Sequence, residues 1–231
     1  MQLIAREMNL SETAFFYKDD PDVFRIRYFT PASEIPLCGH ATLASAHIIY
    51  QLGLKTPEEE IRFRTNDTQL TARRDGDGVA MVFPRYKLDP LPIPDHFKAL
   101  TGFQPEEYYQ SDYGWVLAVA GSQEEILSAR PDFERLKTGG PGHLIITAKS
   151  QIFPVDFVCR CFAPALGINE DPVTGSAHCA LTPYWSARLG KTSLESIQLS
   201  ERTGKLKVRL LGEKVEIRGR AVTVFHIKTM Y

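Results

Sequence analysis

Two loops of the chain carry the side chains best suited to chemistry. The first is Ser33–His40 (S-E-I-P-L-C-G-H) and the second is Gly167–Ser176 (G-I-N-E-D-P-V-T-G-S). In each loop a glycine leads into a long apolar stretch that is typical of a buried helix. The free N–H groups and the dipole at a helix N-terminus attract anions. If the N-termini of both helices point at one small molecule, they would bind a carboxylate group of that molecule.

Single side chains in these loops allow more than one role. His40, at the head of the first helix, could donate a hydrogen bond to a substrate oxygen or cap a neighbouring carbonyl. Asp171 could bind a substrate amine or cap the turn before Pro172. Ser176 could contact substrate or serve only as a helix-start residue. Each of these side chains alone is weak evidence for a site. Together, because they lie on two matched loops, they indicate a site more strongly.

Cys38 directly precedes Gly39, and a helix N-terminus lowers the pKa of a thiol. A racemase that uses two thiols would need a second cysteine at the equivalent place of the other loop, where the sequence has Thr174. Cys179 lies one turn inside the second helix and is expected to pack in the core. A two-cysteine mechanism is therefore disfavoured, and a thiol-based racemase that depends on Cys38 stays as a weaker alternative.

Glu12 lies between the first predicted helix and the first predicted strand. From the residues alone it reads as an exposed carboxylate in a turn. The sequence contains no G-x-G-x-x-G motif, P-loop, H-E-x-x-H motif or nucleophile elbow. Cys159 and Cys161 share a strand face but have no second pair nearby, so no metal site is expected. A reaction without a metal or an organic cofactor fits this pattern.

The two loops belong to an internal repeat that must position them. Each copy reads as a strand, a proline-containing loop, a glycine-led turn, a long apolar helix and a glycine stop. The matching segments are Arg27–Ala32 with Arg160–Ala165, Gly39–Ala41 with Gly175–Ala177, and Leu52–Gly53 with Leu189–Gly190. Two copies predict two similar α/β domains related by a pseudo-two-fold axis, with the site in the cleft between them.

The chain has 231 residues, which allows one large domain or two modest ones at roughly 150 residues per domain. Four prolines between Pro84 and Pro94 mark the best candidate for a linker. We therefore expect an N-terminal domain over 1–88 and a C-terminal domain over 89–222, with 223–231 free to return to the first. We also expect a helix over Met1–Met8, ended by Asn9, and a last strand over Val222–Tyr231.

Composition and charge exclude several classes of protein. Lys plus Arg number 27 and Asp plus Glu number 28, so the net charge of −1 does not suit a nucleic acid or an anionic membrane. The longest apolar runs, such as Val116–Ala120, are too short to span a bilayer. Arg6 and Glu7 stand where a signal peptide would be apolar, so a cytoplasmic protein is expected. The four cysteines are too few for a disulfide framework, and the three other than Cys38 are expected to be reduced and mostly buried.

Three long motifs resemble the phenazine-biosynthesis PhzF-like isomerases, within the diaminopimelate-epimerase-like fold, and in particular the animal members of that family. They are Met1–Thr13 (M-Q-L-I-A-R-E-M-N-L-S-E-T), Phe29–Ala46 (F-T-P-A-S-E-I-P-L-C-G-H-A-T-L-A-S-A) and Glu170–His178 (E-D-P-V-T-G-S-A-H). They occur in the family's order and the resemblance extends over the whole chain. The resemblance implies an α+β protein of two pseudo-symmetric domains, each a rolled, mainly antiparallel sheet around a central helix.

The resemblance also implies a function and a set of site residues. Members of the family commonly form homodimers and use no metal or organic cofactor. The type reaction moves a proton between carbons of a cyclic amino-hydroxy acid, with the glutamate of N-L-S-E-T as acid and base. That glutamate is Glu12 here, where a raised carboxyl pKa would suit both roles. The substrate-binding residues carried over are Gly39, His40, Asp171, Gly175 and Ser176, with Cys38 and Thr174 as further candidates.

Three features depart from the family pattern, and one of them is that the expected last strand, Val222–Tyr231, lacks the usual closing glycine pattern. The family normally begins earlier, with a strand and a G-N-P turn, and this chain has neither. We therefore expect a gap in the sheet beside Thr13–Tyr17, either exposed or covered by a partner chain. Pro183 lies inside the second long helix and removes a hydrogen bond to Cys179. The leading hypothesis is a cofactor-independent isomerase of a small carboxylate-bearing substrate. The alternative is a catalytically impaired relative that binds small molecules or proteins.

Overall fold

The computed structural model describes residues 1–228, which group into two compact units. The first unit is Met1–Val82 with the chain from Arg218 onward, and the second is Phe83–Ile217. The domain borders that the sequence suggests, 88/89 and 222/223, stay a prediction. Residues 229–231, the end of the predicted last strand, lie outside the described residues.

The first unit contains two helices and six strands. The helices are α1 (Gln2–Met8) and α2 (Gly39–Gln51); the strands are β1 (Thr13–Asp20), β2 (Val23–Phe29), β3 (Glu34–Ile35), β4 (Ile61–Arg64), β5 (Gln69–Asp75) and β6 (Gly78–Pro84). Their order in the sheet is β1-β2-β4-β5-β6, with β3 paired to β2. The pair β2–β4 is parallel, and α2 lies between these strands in sequence. Fully buried side chains of β2 and β4, such as Phe24, Tyr28 and Phe63, form the core.

The second unit contains four α-helices and eight strands. The helices are α3 (Phe97–Thr101), α4 (Gln123–Ser128), α5 (Phe133–Gly139) and α6 (Gly175–Leu189); the strands are β7 (Leu88–Pro90), β8 (Glu107–Ser111), β9 (Val116–Val119), β10 (Leu144–Lys149), β11 (Phe157–Phe162), β12 (Ser193–Gln198), β13 (Gly204–Leu211) and β14 (Lys214–Gly219). Their order is β14-β13-β12-β11-β10-β9-β8-β7. Within this unit, only β11–β12 and β9–β10 are parallel among the pairs with a described register. The fold is therefore α+β with mainly antiparallel strands.

The strand connections confirm the internal repeat of the sequence. In the first unit, β2 leads through the first loop and α2 to its parallel neighbour β4. In the second unit, β11 leads through the second loop and α6 to its parallel neighbour β12. An antiparallel strand precedes each copy, β1 in one and β10 in the other. The glycines that open the two helices thus occupy equivalent places in two equivalent βαβ motifs.

The sequence pattern predicts helices over Met1–Met8, His40–Leu52 and Ala177–Leu189, and the structure confirms these limits within two residues. Asn9 ends α1 with φ of 48°, a left-handed conformation that asparagine tolerates better than most residues. Gly190 ends α6 with φ of 66°. The expected strand from Val222 is wrong for the described residues, since 221–228 form no strand. Within this segment, Thr223 Oγ1 lies 3.3 Å from His47 Nε2 of α2.

Strand β1 forms one end of the strand order in the first unit. Within residues 1–228 it pairs with β2 alone, whereas its counterpart β10 pairs on both sides. Among the described residues this confirms the expected gap in the sheet beside Thr13–Tyr17.

Helix α6 continues through Pro183 to Leu189. Proline lacks an N–H, so the Cys179 carbonyl loses its usual intrahelical donor. That carbonyl accepts a hydrogen bond from the backbone N–H of Tyr86 at 2.9 Å instead. The helix therefore lacks one internal hydrogen bond at Cys179, as expected. The Cys179 carbonyl is instead bonded to Tyr86, near the start of the second unit.

Candidate active site

Glu12 lies in the short connection between α1 and β1, where the left-handed turn at Asn9 sends the chain back toward the sheet. Its side chain is only 7% exposed, so the interpretation as an exposed turn carboxylate is wrong. Its Oε2 lies 2.9 Å from Nε2 of His40, the second residue of α2. The structure therefore brings together two side chains that are 28 positions apart (40 − 12) and that the resemblance assigned to one site.

Cys38 completes a three-residue cluster at the start of α2. It occupies the N-cap position, and its Sγ lies 3.7 Å from Nδ1 and 3.6 Å from Nε2 of His40. The thiol is 6% exposed, and its carbonyl accepts hydrogen bonds from the N–H and the hydroxyl of Thr42. Thr42 in turn meets the buried Tyr28 hydroxyl at 2.6 Å. These bonds fix the helix start on β2 and so hold His40 beside Glu12.

Electrostatics favour an ionised Glu12 beside a protonated His40. Burial acts to raise the pKa of Glu12, but the hydrogen bond and charge of His40, with a hydrogen bond from Ser11, lower it overall. Burial acts to lower the pKa of His40, but Cys38 and Glu12 raise it well above its ordinary value. Burial also raises the pKa of the Cys38 thiol, so the charge that faces His40 at neutral pH is the carboxylate. The expected raised pKa of Glu12 is wrong for this state of the protein, because its partner is a cation.

The ion pair gives a prediction for stability against pH. The lowered Glu12 pKa stabilises the fold above pH 4.5, and this stabilisation disappears as pH falls through the folded pKa. The raised His40 pKa stabilises the fold below pH 6.5 and is lost as pH rises through the folded pKa. We therefore expect His40→Asn to lower the melting temperature most between about pH 5 and 6, and progressively less toward about pH 9. A melting-temperature difference that stays constant over this range would contradict the ion pair.

In the second loop, a hydrogen bond joins the side chains of Asp171 and Thr174. The Thr174 hydroxyl donates to Asp171 Oδ2, and the Asp171 N–H donates to the Cys161 carbonyl at 3.0 Å. Both side chains are almost fully buried. Thr174 is the N-cap residue of α6, and Gly175 and Ser176 are its first two residues. Asp171 thus braces the turn that leads into α6, and its contact with a substrate amine stays a prediction.

Gln198 is a site-supporting residue that the sequence did not indicate as such. Its Oε1 accepts from the Thr174 N–H at 2.8 Å, and its Nε2 donates to the Asp171 carbonyl at 2.6 Å and to Thr174 Oγ1 at 3.0 Å. His178 adds a second brace, with ring nitrogens 2.8 Å from the Thr174 carbonyl and 2.9 Å from Ser196 Oγ. The available signal was the alternation of β12, which places polar Ser196 and Gln198 on the buried face beside Leu194.

Each of the two loops is joined to the strand before it by an Arg–Glu ion pair, and the two pairs occupy equivalent places in the repeat. Arg27 of β2 binds both carboxylate oxygens of Glu34 at 2.8 Å, and Arg160 of β11 binds both oxygens of Glu170 at 2.8 and 2.9 Å. Each guanidinium also lies over the phenylalanine two residues ahead, Phe29 or Phe162, at 5.2 and 5.0 Å from the ring centre. The repeat therefore extends from the backbone to the side chains that anchor each loop.

The two arginines differ in exposure, so the same substitution at each should change the free energy of unfolding by different amounts. Arg160 is 13% exposed and also donates to the Ile126 and Ala129 carbonyls, whereas Arg27 is 37% exposed. Lysine cannot reproduce a bidentate contact. We expect Arg160→Lys to lower the free energy of unfolding by about 2 kcal/mol, and Arg27→Lys by less than about 1 kcal/mol. Urea denaturation of both variants measures this, and equal losses would contradict the stated role of burial.

Comparison with known proteins decides the family. The model of the family described as phenazine biosynthesis-like protein matches residues 1–227. The chain belongs to the PhzF family. A Pseudomonas aeruginosa relative described as an uncharacterized isomerase is 45% identical over 222 residues, covering 96% of this chain and 83% of its own. A mouse relative described as phenazine biosynthesis-like domain-containing protein 2 is 40% identical over 247 residues, covering 96% of this chain and 85% of its own.

Solved structures agree with this assignment. A PhzF-family protein of Enterococcus faecalis has a TM-score of 0.87 at 37% identity and covers 95% of this chain and 82% of its own. A probable proline racemase of Agrobacterium radiobacter has a TM-score of 0.60 at 12% identity, covering 97% of this chain and 81% of its own, which shows a shared fold. The epimerase-like fold expected from the PhzF resemblance is thus confirmed. Among the described residues, no helix is both long enough and apolar enough to cross a membrane.

Proposed function

We propose that this PhzF-family chain is a cofactor-independent isomerase that moves a proton between carbons of a small carboxylate-bearing substrate. Cyclic amino acids are the first candidates. The observation that carries the proposal is the buried Glu12 carboxylate, 2.9 Å from His40 at the head of α2. The descriptions of relatives as isomerases support the reaction class.

In the proposed reaction, the ionised Glu12 removes a proton from a carbon of the substrate. The C–H bond breaks, an O–H bond forms on Glu12, and the negative charge passes to the substrate carboxylate or another conjugated acceptor. Glu12 then returns the proton to a different carbon, so no oxidant or reductant is consumed. A carboxylate whose partner is a cation in the free protein is a base ready for the first step.

We further propose that the substrate carboxylate binds at the helix N-termini of the repeat. Gly39 and Gly175 are the first residues of α2 and α6, and unpaired N–H groups at such ends stabilise negative charge as it develops. His40, which is 31% exposed, would contact a substrate oxygen when substrate enters.

Deuterium uptake tests the proposal. The purified protein is incubated in D2O with a panel of cyclic amino acids and small carboxylic acids that have exchangeable C–H groups, and NMR follows deuterium at each carbon. Uptake at one or two carbons of a single substrate class supports an isomerase. Binding of panel members without any uptake would instead favour the binding-module alternative.

A further inference from the structure

The open edge of β1 is a candidate docking surface. Within residues 1–228, β1 pairs with β2 on one side and with no strand on the other. The backbone N–H and C=O groups along such an edge form a template for a strand from another chain. No residue of β1 is fully buried, and Tyr17 is 52% exposed.

The internal repeat shows which kind of strand fits this edge. Phe29 and Phe162 occupy matching places in the repeat, and their antiparallel partners are Thr13 and Leu144. Thr13 on the open edge is therefore the equivalent of Leu144. Beside Leu144 lies Val116, the first residue of β9, which runs parallel to β10 and is buried along its whole length. The edge of β1 thus favours a short apolar strand that runs parallel to it and starts beside Thr13.

Segment 221–228 (A-V-T-V-F-H-I-K) has the composition of such a strand. It is rich in β-branched and aromatic residues, which favour strands. In the structure it forms no strand, and its large apolar side chains are 70–81% exposed: Val222, Val224, Phe225 and Ile227. Large apolar side chains that stay exposed together in one segment mark an interaction site.

In its own chain this segment does not approach the β1 edge as a strand. It starts across α2, where the Thr223 hydroxyl contacts His47 and Gln51. One chain thus presents both an open edge and an unpaired apolar segment, and both belong to the first unit. A second copy of the chain presents the same two features, so each copy can supply what the other lacks.

Charge favours the same parallel direction as the repeat. Strand β1 ends in Asp19 and Asp20, which share the guanidinium of Arg64. Segment 221–228 ends in Lys228 and contains no acidic residue. In a parallel arrangement Lys228 lies beside the two carboxylates. In an antiparallel arrangement it would lie at the other end of β1, where the Glu12 carboxylate is buried.

We propose that two copies of the chain form a dimer by exchanging segment 221–228, which pairs in parallel with the β1 edge of the other copy. Val222 then lies beside Thr13. Further along, Phe225 lies beside Phe16, whose ring meets the core residue Phe24. The two exchanged contacts are identical, so the assembly closes as a dimer. The dimer does not depend on the proposed isomerase reaction.

The first experiment measures the mass of the full-length chain by size-exclusion chromatography with light scattering over a range of concentrations. We expect a dimer. Phe225→Asp should raise its dissociation constant at least about 10-fold, since it places a charge at the centre of the contact. Tyr17→Lys should do the same, because lysine on an edge strand opposes pairing. Ile152→Asp, at a 66% exposed apolar residue of the second unit, is the matched control and should leave the dimer unchanged.

A cross-linking experiment tests the register and the exchange. In the proposed register, Tyr17 lies beside His226 of the other copy. Tyr17→Cys and His226→Cys chains are prepared separately, mixed and treated with glutathione disulfide, which is reduced to two glutathione thiols as the two cysteines form one disulfide. The mixture should yield a disulfide-linked pair of chains, and either variant alone should not. The four native cysteines are buried and do not compete.

Three outcomes would overturn the exchange. One is a monomer at every concentration. Another is a dimer that persists unchanged in both Phe225→Asp and Tyr17→Lys, or that Ile152→Asp weakens equally. The third is a cross-link that forms only within chains carrying both cysteine substitutions, which would place the segment on its own β1. Circular dichroism of each variant verifies folding. Because the readouts are mass and cross-linking, their failure is distinguishable from a failure to detect isomerase activity.

Discussion

Glu12→Gln should reduce deuterium uptake into the substrate by at least 100-fold, since general acid–base catalysis contributes about 10²- to 10⁴-fold. The amide is nearly isosteric with the carboxylate, so it can occupy the same buried space beside His40, but it cannot accept a substrate proton and return it. The measurement is the NMR exchange assay with whichever panel member the wild-type chain deuterates.

Glu7→Gln is the matched control for this prediction. Glu7 is an exposed carboxylate on α1, and its replacement should leave uptake unchanged. Cys38→Ser should retain measurable uptake. If uptake survives in Glu12→Gln but disappears completely in Cys38→Ser, the proton carrier is the thiol, and the racemase alternative replaces the proposed mechanism.

Gln198→Leu should lower the free energy of unfolding by about 3–4 kcal/mol. Leucine has a similar volume but makes none of the three hydrogen bonds, so the buried Thr174 N–H and the Asp171 carbonyl lose this partner in an almost fully buried site. Urea denaturation monitored by tryptophan fluorescence measures the loss. We also expect weaker substrate binding, because the N-cap of α6 loses its support.

Gln69→Leu gives the control for a change from amide to alkyl on a strand. Gln69 is exposed on β5, and its replacement should alter stability by less than about 0.5 kcal/mol. Equal effects at positions 69 and 198 would show that the buried network does not hold the second loop.

The repeat was the most informative feature of the sequence. Its glycines, prolines and helix lengths are local signals with a period, so they predict both βαβ motifs and place Gly39 and Gly175 at the helix starts. The parallel pairing of β2 with β4 and of β11 with β12 then follows from the strand–helix–strand order.

The side-chain partners of the site could not be obtained in this way. Glu12 reads as a turn residue because nothing local shows that α2 will bring His40 within 2.9 Å of it. The sign of its pKa shift depends on that partner, so burial alone predicts the wrong direction. Gln198 is likewise informative only once β12 is seen to run beside the loop that begins α6.

The contact between the Tyr86 N–H and the Cys179 carbonyl links two parts of the second unit that are far apart in sequence. Because Pro183 removes the intrahelical donor, opening the segment at Tyr86 leaves a carbonyl in the middle of α6 without its hydrogen bond. We therefore expect local opening at the entry to the second unit to destabilise the centre of its longest helix as well. A proline inside a helix, which usually weakens it locally, here couples the helix to the rest of its unit.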